Sequence, residues 1–307
     1  MKAIQYQNFG ASDVIAFNNI PQPTIATADD VLIQVKAASV NPLDIKIRLG
    51  YMQQMRPVQL PFIPGLDAAG IVVAVGENVQ KFKVGDEVMA VTMANAYAEF
   101  VIANQYFVSH KPTNISFEEA TSLAVNIGTA ESILFTEGKL EAGQRVLIQG
   151  AAGAVGATMV QLAKEKGLYV YATATGKGLE LVKELGADEI FDYKLVDVST
   201  LLNDIDLVAD CAGGPTQVKL FEVVKKGGKL LSIAQPPSQE LAQMHNIEAR
   251  FISSDLSSKN LENGLMLVKD GKLKPFVTKL FKLEEAAQAQ DFLSNGGVNG
   301  KVVLKIE

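Results

Sequence analysis

The chain has 307 residues, with 28 Lys or Arg, 34 Asp or Glu and a formal net charge of −6 at pH 7. That length predicts two domains, the acidic balance argues against a phosphate-tracking nucleic-acid binder, and a 48% hydrophobic share argues against disorder. A single cysteine, Cys211, and two histidines, His110 and His245, exclude a disulfide framework and a multi-cysteine zinc site. The N-terminus turns polar almost at once, and no apolar run approaches about 18 residues. The sequence therefore predicts no signal peptide, no membrane span and a reducing, cytoplasmic setting.

The first 110 or so residues read as strands and turns. Val31-Leu32-Ile33-Gln34-Val35-Lys36, Ala69 to Gly76, Val84 to Ala90 and Glu99-Phe100-Val101-Ile102 are short β-branched runs punctuated by Gly, Pro, Asn and Asp. That is the pattern of a barrel-like antiparallel domain. Ser116 and Glu119 then form a capping box that opens a helix. Beyond it strands and helices alternate. Strands are expected at Arg145–Gln149, Leu168–Ala174, Leu207–Ala209, Lys229–Ile233 and Arg250–Ile252. Helices are expected at Gly156–Lys166, Leu179–Leu185, Gln217–Val224 and Leu261–Lys269. Alternation of this kind predicts a doubly wound parallel sheet. A helix at Leu283–Leu293 and a strand at Lys301–Ile306 close the chain, and periodicity does not decide which domain they join.

Two local features carry chemistry. Gly150-Ala151-Ala152-Gly153-Ala154-Val155-Gly156 follows a strand and opens an alanine-rich helix. Glycines there let the backbone approach a pyrophosphate, which would meet free N–H groups and the positive helix end. The second feature is an absence. A cofactor with a free ribose 2′-hydroxyl is met by an Asp or Glu at the end of the next strand, but that strand ends Ala174-Thr175-Gly176-Lys177. A hydroxyl and a cation suit a 2′-phosphate, so the expected cofactor is NADPH rather than NADH.

The run from Gly143 to Lys164, with Ala151, Ala152, Gly153, Gly156 and Gln161 at fixed spacing, resembles the signature of the quinone oxidoreductase (ζ-crystallin-like) group of zinc-independent medium-chain dehydrogenases/reductases. Ala154 departs from the glycine usual in that group. Asn41-Pro42-Leu43-Asp44-Ile45-Lys46 is similar to the corresponding stretch of enone and alkenal reductases. Pro64 to Gly70, Lys81 to Val88, Ala96 to Phe100, Gly128 to Ala130, Phe191 to Tyr193 and Gly300 to Val303 extend the resemblance over nearly the whole chain. Zinc-dependent relatives place Cys and His-Glu where this chain has Val40-Asn41 and Leu66-Asp67, so the resemblance also implies no zinc.

The resemblance implies an α/β fold: a GroES-like β-rich catalytic domain (residues 1–113 and 263–307) and a Rossmann-type NADPH-binding domain (residues 114–262). It implies that Ala152, Gly153, Ala154, Val155 and Gly156 cradle the pyrophosphate, and that Thr175, Lys177 and Tyr193 surround the 2′-phosphate. Thr129, Ser232 and Ile233 would lie along the nicotinamide half. Asn41 and Lys46 would face the nicotinamide ribose and the substrate, and Gly300 and Lys301 would close over the cofactor. The implied reaction is hydride transfer to a small hydrophobic quinone or α,β-unsaturated carbonyl, in a chain that can pair as a homodimer. No residue identifies itself as proton donor; Tyr51 and Tyr97 are the candidates. The alternatives are a non-catalytic NADPH-binding sensor, an RNA-binding relative, and a zinc-free carbonyl oxidoreductase.

Overall fold

The computed structural model describes residues 1–307. The chain divides into two units, one built from residues 1–125, 256–262 and 275–307, the other from 126–255 and 263–274. In chain order the strands are β1 (Lys2–Gln5), β2 (Ala16–Asn19), β3 (Asp30–Val40), β4 (Asp67–Val75), β5 (Glu87–Val91), β6 (Phe100–Asn104), β7 (Val108–His110), β8 (Arg145–Gln149), β9 (Tyr169–Ala174), β10 (Glu189–Asp192), β11 (Ile205–Asp210), β12 (Val224–Ser232), β13 (Glu248–Phe251), β14 (Val277–Lys282) and β15 (Lys301–Lys305).

In the first unit β3 is the hub. It pairs antiparallel with β15, β4 and β6, within a sheet ordered β14-β15-β3-β4-β5-β7. Its β-branched residues Val31, Ile33 and Val35 pack with Val72, Val88, Val101, Val302 and Leu304 into one core. β-Branched side chains suit this pleated, buried setting. The tail returns to this unit: Val302 pairs with Val40, and Leu304 with Ala38. β14, which the sequence reading misses, is an edge strand with most of its residues exposed, so it carries no hydrophobic run. The expected capping box forms: Ser116 Oγ accepts from the Glu119 N–H at 3.2 Å, and Glu119 Oε2 accepts from the Ser116 N–H at 2.8 Å. The helix that it opens, Phe117–Thr121, packs on β3 and β4 and carries this unit past residue 113 to Val125.

The second unit holds six parallel strands in the order β10-β9-β8-β11-β12-β13. β8, β9 and β11 are almost wholly buried, as parallel strands covered on both faces must be. The helices Ala154–Glu165 and Lys177–Glu184 carry the chain from β8 to β9 and from β9 to β10. The strand order reverses between β8 and β11, which opens a crevice beyond their carboxyl ends. One expectation changes. Instead of a helix over residues 217–224, a 3₁₀ segment runs from Pro215 to Phe221, and Val224 already pairs with Ile205. Gly214, at φ +75°, and Pro215 start this tighter turn. Its bonds are of the i+3 kind, such as Gln217 N–H to Gly214 O at 3.1 Å.

Candidate functional site

The turn after β8 is built by its glycines. Gly150 takes φ +75°, a conformation open to glycine at little cost. Its N–H donates to Thr173 Oγ1 at 3.2 Å, and the Ala151 N–H donates to Thr173 O at 3.0 Å, so the turn is tied to β9. A Cβ on Gly156 would lie 2.4 Å from Gly150 O and 2.7 Å from Ala151 Cα, so the helix can start this close only with glycine there. Gly153 takes the N-cap position of Ala154–Glu165 without any side-chain cap. The first N–H groups of that twelve-residue helix therefore meet no capping side chain. Ala152 is buried, whereas Gly153, Ala154 and Val155 are half-buried and reachable.

Beside this turn, within the second unit, lies a cavity of about 510 Å³. Its walls come from the ends of β8 and β9 (Gln149, Thr173), the segment after β10 (Tyr193, Lys194, Asp197) and the region after β11 (Gly213, Thr216, Lys219). Tyr193 is 51% exposed and stands on the cavity wall. Thr175 is half-buried just past β9, and Lys177 is the exposed first residue of the next helix. No carboxylate stands between Thr173 and Lys177. Lys194 and Lys219 escape the sequence reading because they belong to no motif. Lys219 is paired with Asp197 at 2.5 Å, and that pairing, with the Ser199 hydroxyl, holds the Asp197 carboxyl below its usual range.

Other expected residues have different surroundings. Ser232 is fully buried, and its hydroxyl donates to Asp210 Oδ2 at 2.9 Å and accepts from Gln217 Nε2 at 3.3 Å. Its side chain therefore secures the loops after β11 and β12. The half-buried Ile233 is tied by its N–H to Asp210 O. Thr129 is buried in the helix Ala124–Glu131, which continues into a π-helical turn, Ser132–Glu137.

In the first unit a charged cluster fills the interior at the end of β3. Asn41 donates through Nδ2 to Asp67 Oδ1 at 2.9 Å and accepts at Oδ1 from Lys301 Nζ at 2.6 Å. Asp67 also accepts from the Ser39 hydroxyl at 2.5 Å. Asn41 precedes the helix Pro42–Arg48, whose Asp44 reaches back to accept from the Asn41 N–H at 2.9 Å. Asp44 further accepts from the Tyr97 hydroxyl and the Gly65 N–H. Burial pushes the Asp44 carboxyl up to about 7. It raises Asp67 despite the nearby Lys301 charge, raises the Tyr97 phenol, and lowers Lys301. Lys46 is half-buried on the same short helix. Gly300 and Lys301, expected over the cofactor, are used inside this unit. A Cβ on Gly300 would meet Phe276 O at 2.6 Å, and the Lys301 ammonium is committed to Asn41.

The donors for a zinc ion do not come together. The His110 ring packs on Phe82 and the His245 ring on Phe221. Cys211, its thiol pushed up by burial, follows β11. No three His, Cys, Asp or Glu side chains are grouped to hold a metal.

Comparison with known proteins gives a consistent picture. A family model described as an alcohol dehydrogenase GroES-like domain matches residues 27–113, and one described as a zinc-binding dehydrogenase matches residues 185–304. A quinone oxidoreductase of Sus scrofa is 32% identical over 322 residues, covering 99% of this chain and 97% of the relative. An NADPH-dependent alkenal/one oxidoreductase of Arabidopsis thaliana chloroplasts is 35% identical over 324 residues, covering 99% of this chain and 79% of the relative. The solved structure of the quinone oxidoreductase from Coxiella burnetii superposes with a TM-score of 0.90 at 31% identity, over 100% of this chain and 99% of that one.

Proposed function

The chain belongs to the quinone oxidoreductase group of the medium-chain dehydrogenases/reductases, and from that membership we propose that it reduces a hydrophobic quinone or α,β-unsaturated carbonyl with NADPH and without zinc. The observation that carries this reading is the pairing of an uncapped helix N-terminus with a cavity at the switch point of the parallel sheet. Together they fit a dinucleotide. Its pyrophosphate would sit on the backbone N–H groups of Gly153, Ala154 and Val155. Thr175, Lys177 and Tyr193 would surround its 2′-phosphate, with Lys194 as a second cation. A carboxylate there would repel that phosphate, and none stands at the end of β9.

When bound, NADPH supplies a hydride from its nicotinamide C4. The chain's own residues bind, orient and exclude water, and most of the rate comes from that positioning. Thr129 and the Ser232-Ile233 strand end would flank the nicotinamide half. Lys46 would fix the nicotinamide ribose. Asn41, with both ends of its amide engaged, would act by holding the start of the Pro42–Arg48 helix in place. The exposed Tyr51, Met55 and Leu60 favour an apolar acceptor. No helix is long and apolar enough to cross a membrane, and the lone unpaired Cys211 fits a reducing, cytoplasmic setting. The open edge of the six-stranded sheet at β13 offers a second copy a place to add.

The test is the absorbance at 340 nm of NADPH, and separately of NADH, with 1,4-benzoquinone, 9,10-phenanthrenequinone, an alkenal and an aliphatic ketone. Oxidation of NADPH by a quinone or the alkenal is expected. Turnover with the ketone alone would replace this reading with a carbonyl reductase. Tight NADPH binding without turnover would replace it with a sensor.

A further inference from the structure

Arg56 lies in the loop that leaves the Pro42–Arg48 helix. The Tyr51 N–H donates to Lys46 O at 3.0 Å and the Arg56 N–H to Met52 O at 2.6 Å, so hydrogen bonds run in steps from the helix that carries Lys46 to the backbone of Arg56. The Arg56 side chain is half-buried and crosses to a second loop, where Nη2 donates to Met93 O. Met93 follows β5 and is itself tied by its N–H to Leu66 O at 3.2 Å. The guanidinium is therefore anchored at one corner.

A guanidinium has five N–H donors and a permanent charge. The bond to Met93 is the one that Arg56 makes. The chain's other three arginines are better matched. Arg48 donates to Gln290 and to Gly10 O, Arg145 faces Asp204, and Arg250 pairs with Glu137 and Glu248. Asp44 is the carboxyl whose charge reaches Arg56. It is buried, already accepts from Asn41, Tyr97 and Gly65, and is pushed toward its neutral form. A half-buried cation without a counter-charge is unfavourable until a ligand brings one. The two loops that Arg56 joins also expose Tyr51, Met55, Leu60 and Met93. One cation held between loops of that composition suits a ligand with an apolar body and an anionic end.

We propose that Arg56 pairs with a carboxylate on the acceptor, so that the preferred substrates are oxo-enoic acids, α,β-unsaturated ketones that also carry a carboxylate. The planar guanidinium fork matches the two oxygens of that group. The proposal rests on the reductase reading above and names its class of acceptor. Reduction of 4-oxo-2-pentenoate breaks the alkene π bond. The carbon next to the carboxylate gains a hydride from NADPH, the other alkene carbon gains a proton from solvent, and the products are 4-oxopentanoate and NADP⁺.

The test follows NADPH absorbance with 4-oxo-2-pentenoate and with its methyl ester, which keeps the shape and removes the charge. The wild-type protein is expected to show a KM about tenfold lower for the acid, the order of one charge-assisted pair. Arg56→Leu is expected to show similar KM values for the two, with the loss falling on the acid. Arg56→Lys, which keeps the charge, is expected to retain part of the preference. A wild-type KM no lower for the acid than for the ester, or an undiminished gap in Arg56→Leu, would overturn the assignment. Should Arg56→Leu not fold, the wild-type and Arg56→Lys ratios decide. Turnover of 1,4-benzoquinone alone would overturn the assignment and leave the reductase reading standing. No oxidation of NADPH by any of the three compounds would overturn that reading, and the assignment with it.

Discussion

Lys301 and Asn41, at opposite ends of the chain, meet at 2.6 Å in the interior of the first unit. The bond does more than tie β15 to β3. It places a buried ammonium one side chain away from Asp67, whose carboxylate is fully buried and accepts from the same asparagine. A carboxylate in that position is tolerable only with a counter-charge and donors.

Removing the ammonium should therefore be costly, and neutralising Asp67 should restore much of the loss. Lys301→Met is expected to lose about 3–5 kcal/mol of stability. Adding Asp67→Asn to that variant is expected to recover a substantial part. Urea unfolding of the wild type, both single variants and the double variant gives the coupling. Simple additivity would show that the two groups do not depend on each other.

The raised Asp44 carboxyl predicts a pH dependence. An acid whose pKa lies near 7 when folded and near about 3.9 when unfolded keeps its proton in the native state while the unfolded chain has lost it. Its stabilising effect is full below the unfolded value and is lost as pH rises through about 7. Asp67 shifts in the same direction. Wild-type Tm should fall more steeply between pH 5 and 8 than that of Asp44→Asn. Parallel Tm curves over that range would count against a buried, protonated Asp44.

Selectivity for the phosphorylated cofactor should reside at the end of β9. Lys177→Ala is expected to raise the KM for NADPH about tenfold, the order expected for one charge-assisted hydrogen bond. The KM for NADH should stay unchanged. Steady-state rates with both cofactors check this, and an equal effect on the two would remove Lys177 from the 2′-phosphate.

Gly156 should be intolerant of any side chain, because the obstacle to a Cβ is backbone on both sides. Gly156→Ala is expected to cost about 1–3 kcal/mol and to abolish NADPH binding by opening the turn. Calorimetry and thermal unfolding read the two effects separately. Retained affinity would mean that the turn can relax at no cost to the cradle.

Sequence reading succeeds where the physics is local. The spacing of Gly150, Gly153 and Gly156, the strand before them and the helix after them lie within about one strand–turn–helix unit, and the structure builds the turn from them. The capping box of Ser116 and Glu119 is local in the same way. Lys301, Asn41 and Asp67 show the opposite case. The lysine and the asparagine lie 260 positions apart, so no pattern in the sequence announces that a terminal lysine serves an internal carboxylate. Residues 215–224 misled because an apolar run after a glycine pair suits a helix and a strand alike.

The placement of β15 beside β3 also orders events during synthesis. Residues 126–255 of the second unit emerge as one continuous stretch. β3 is made long before β15, its partner on one flank. Until β15 emerges, one flank of the hub strand has open hydrogen-bonding groups and Asp67 lacks the Lys301 ammonium. The first unit is therefore the part of the nascent chain exposed longest to mispairing.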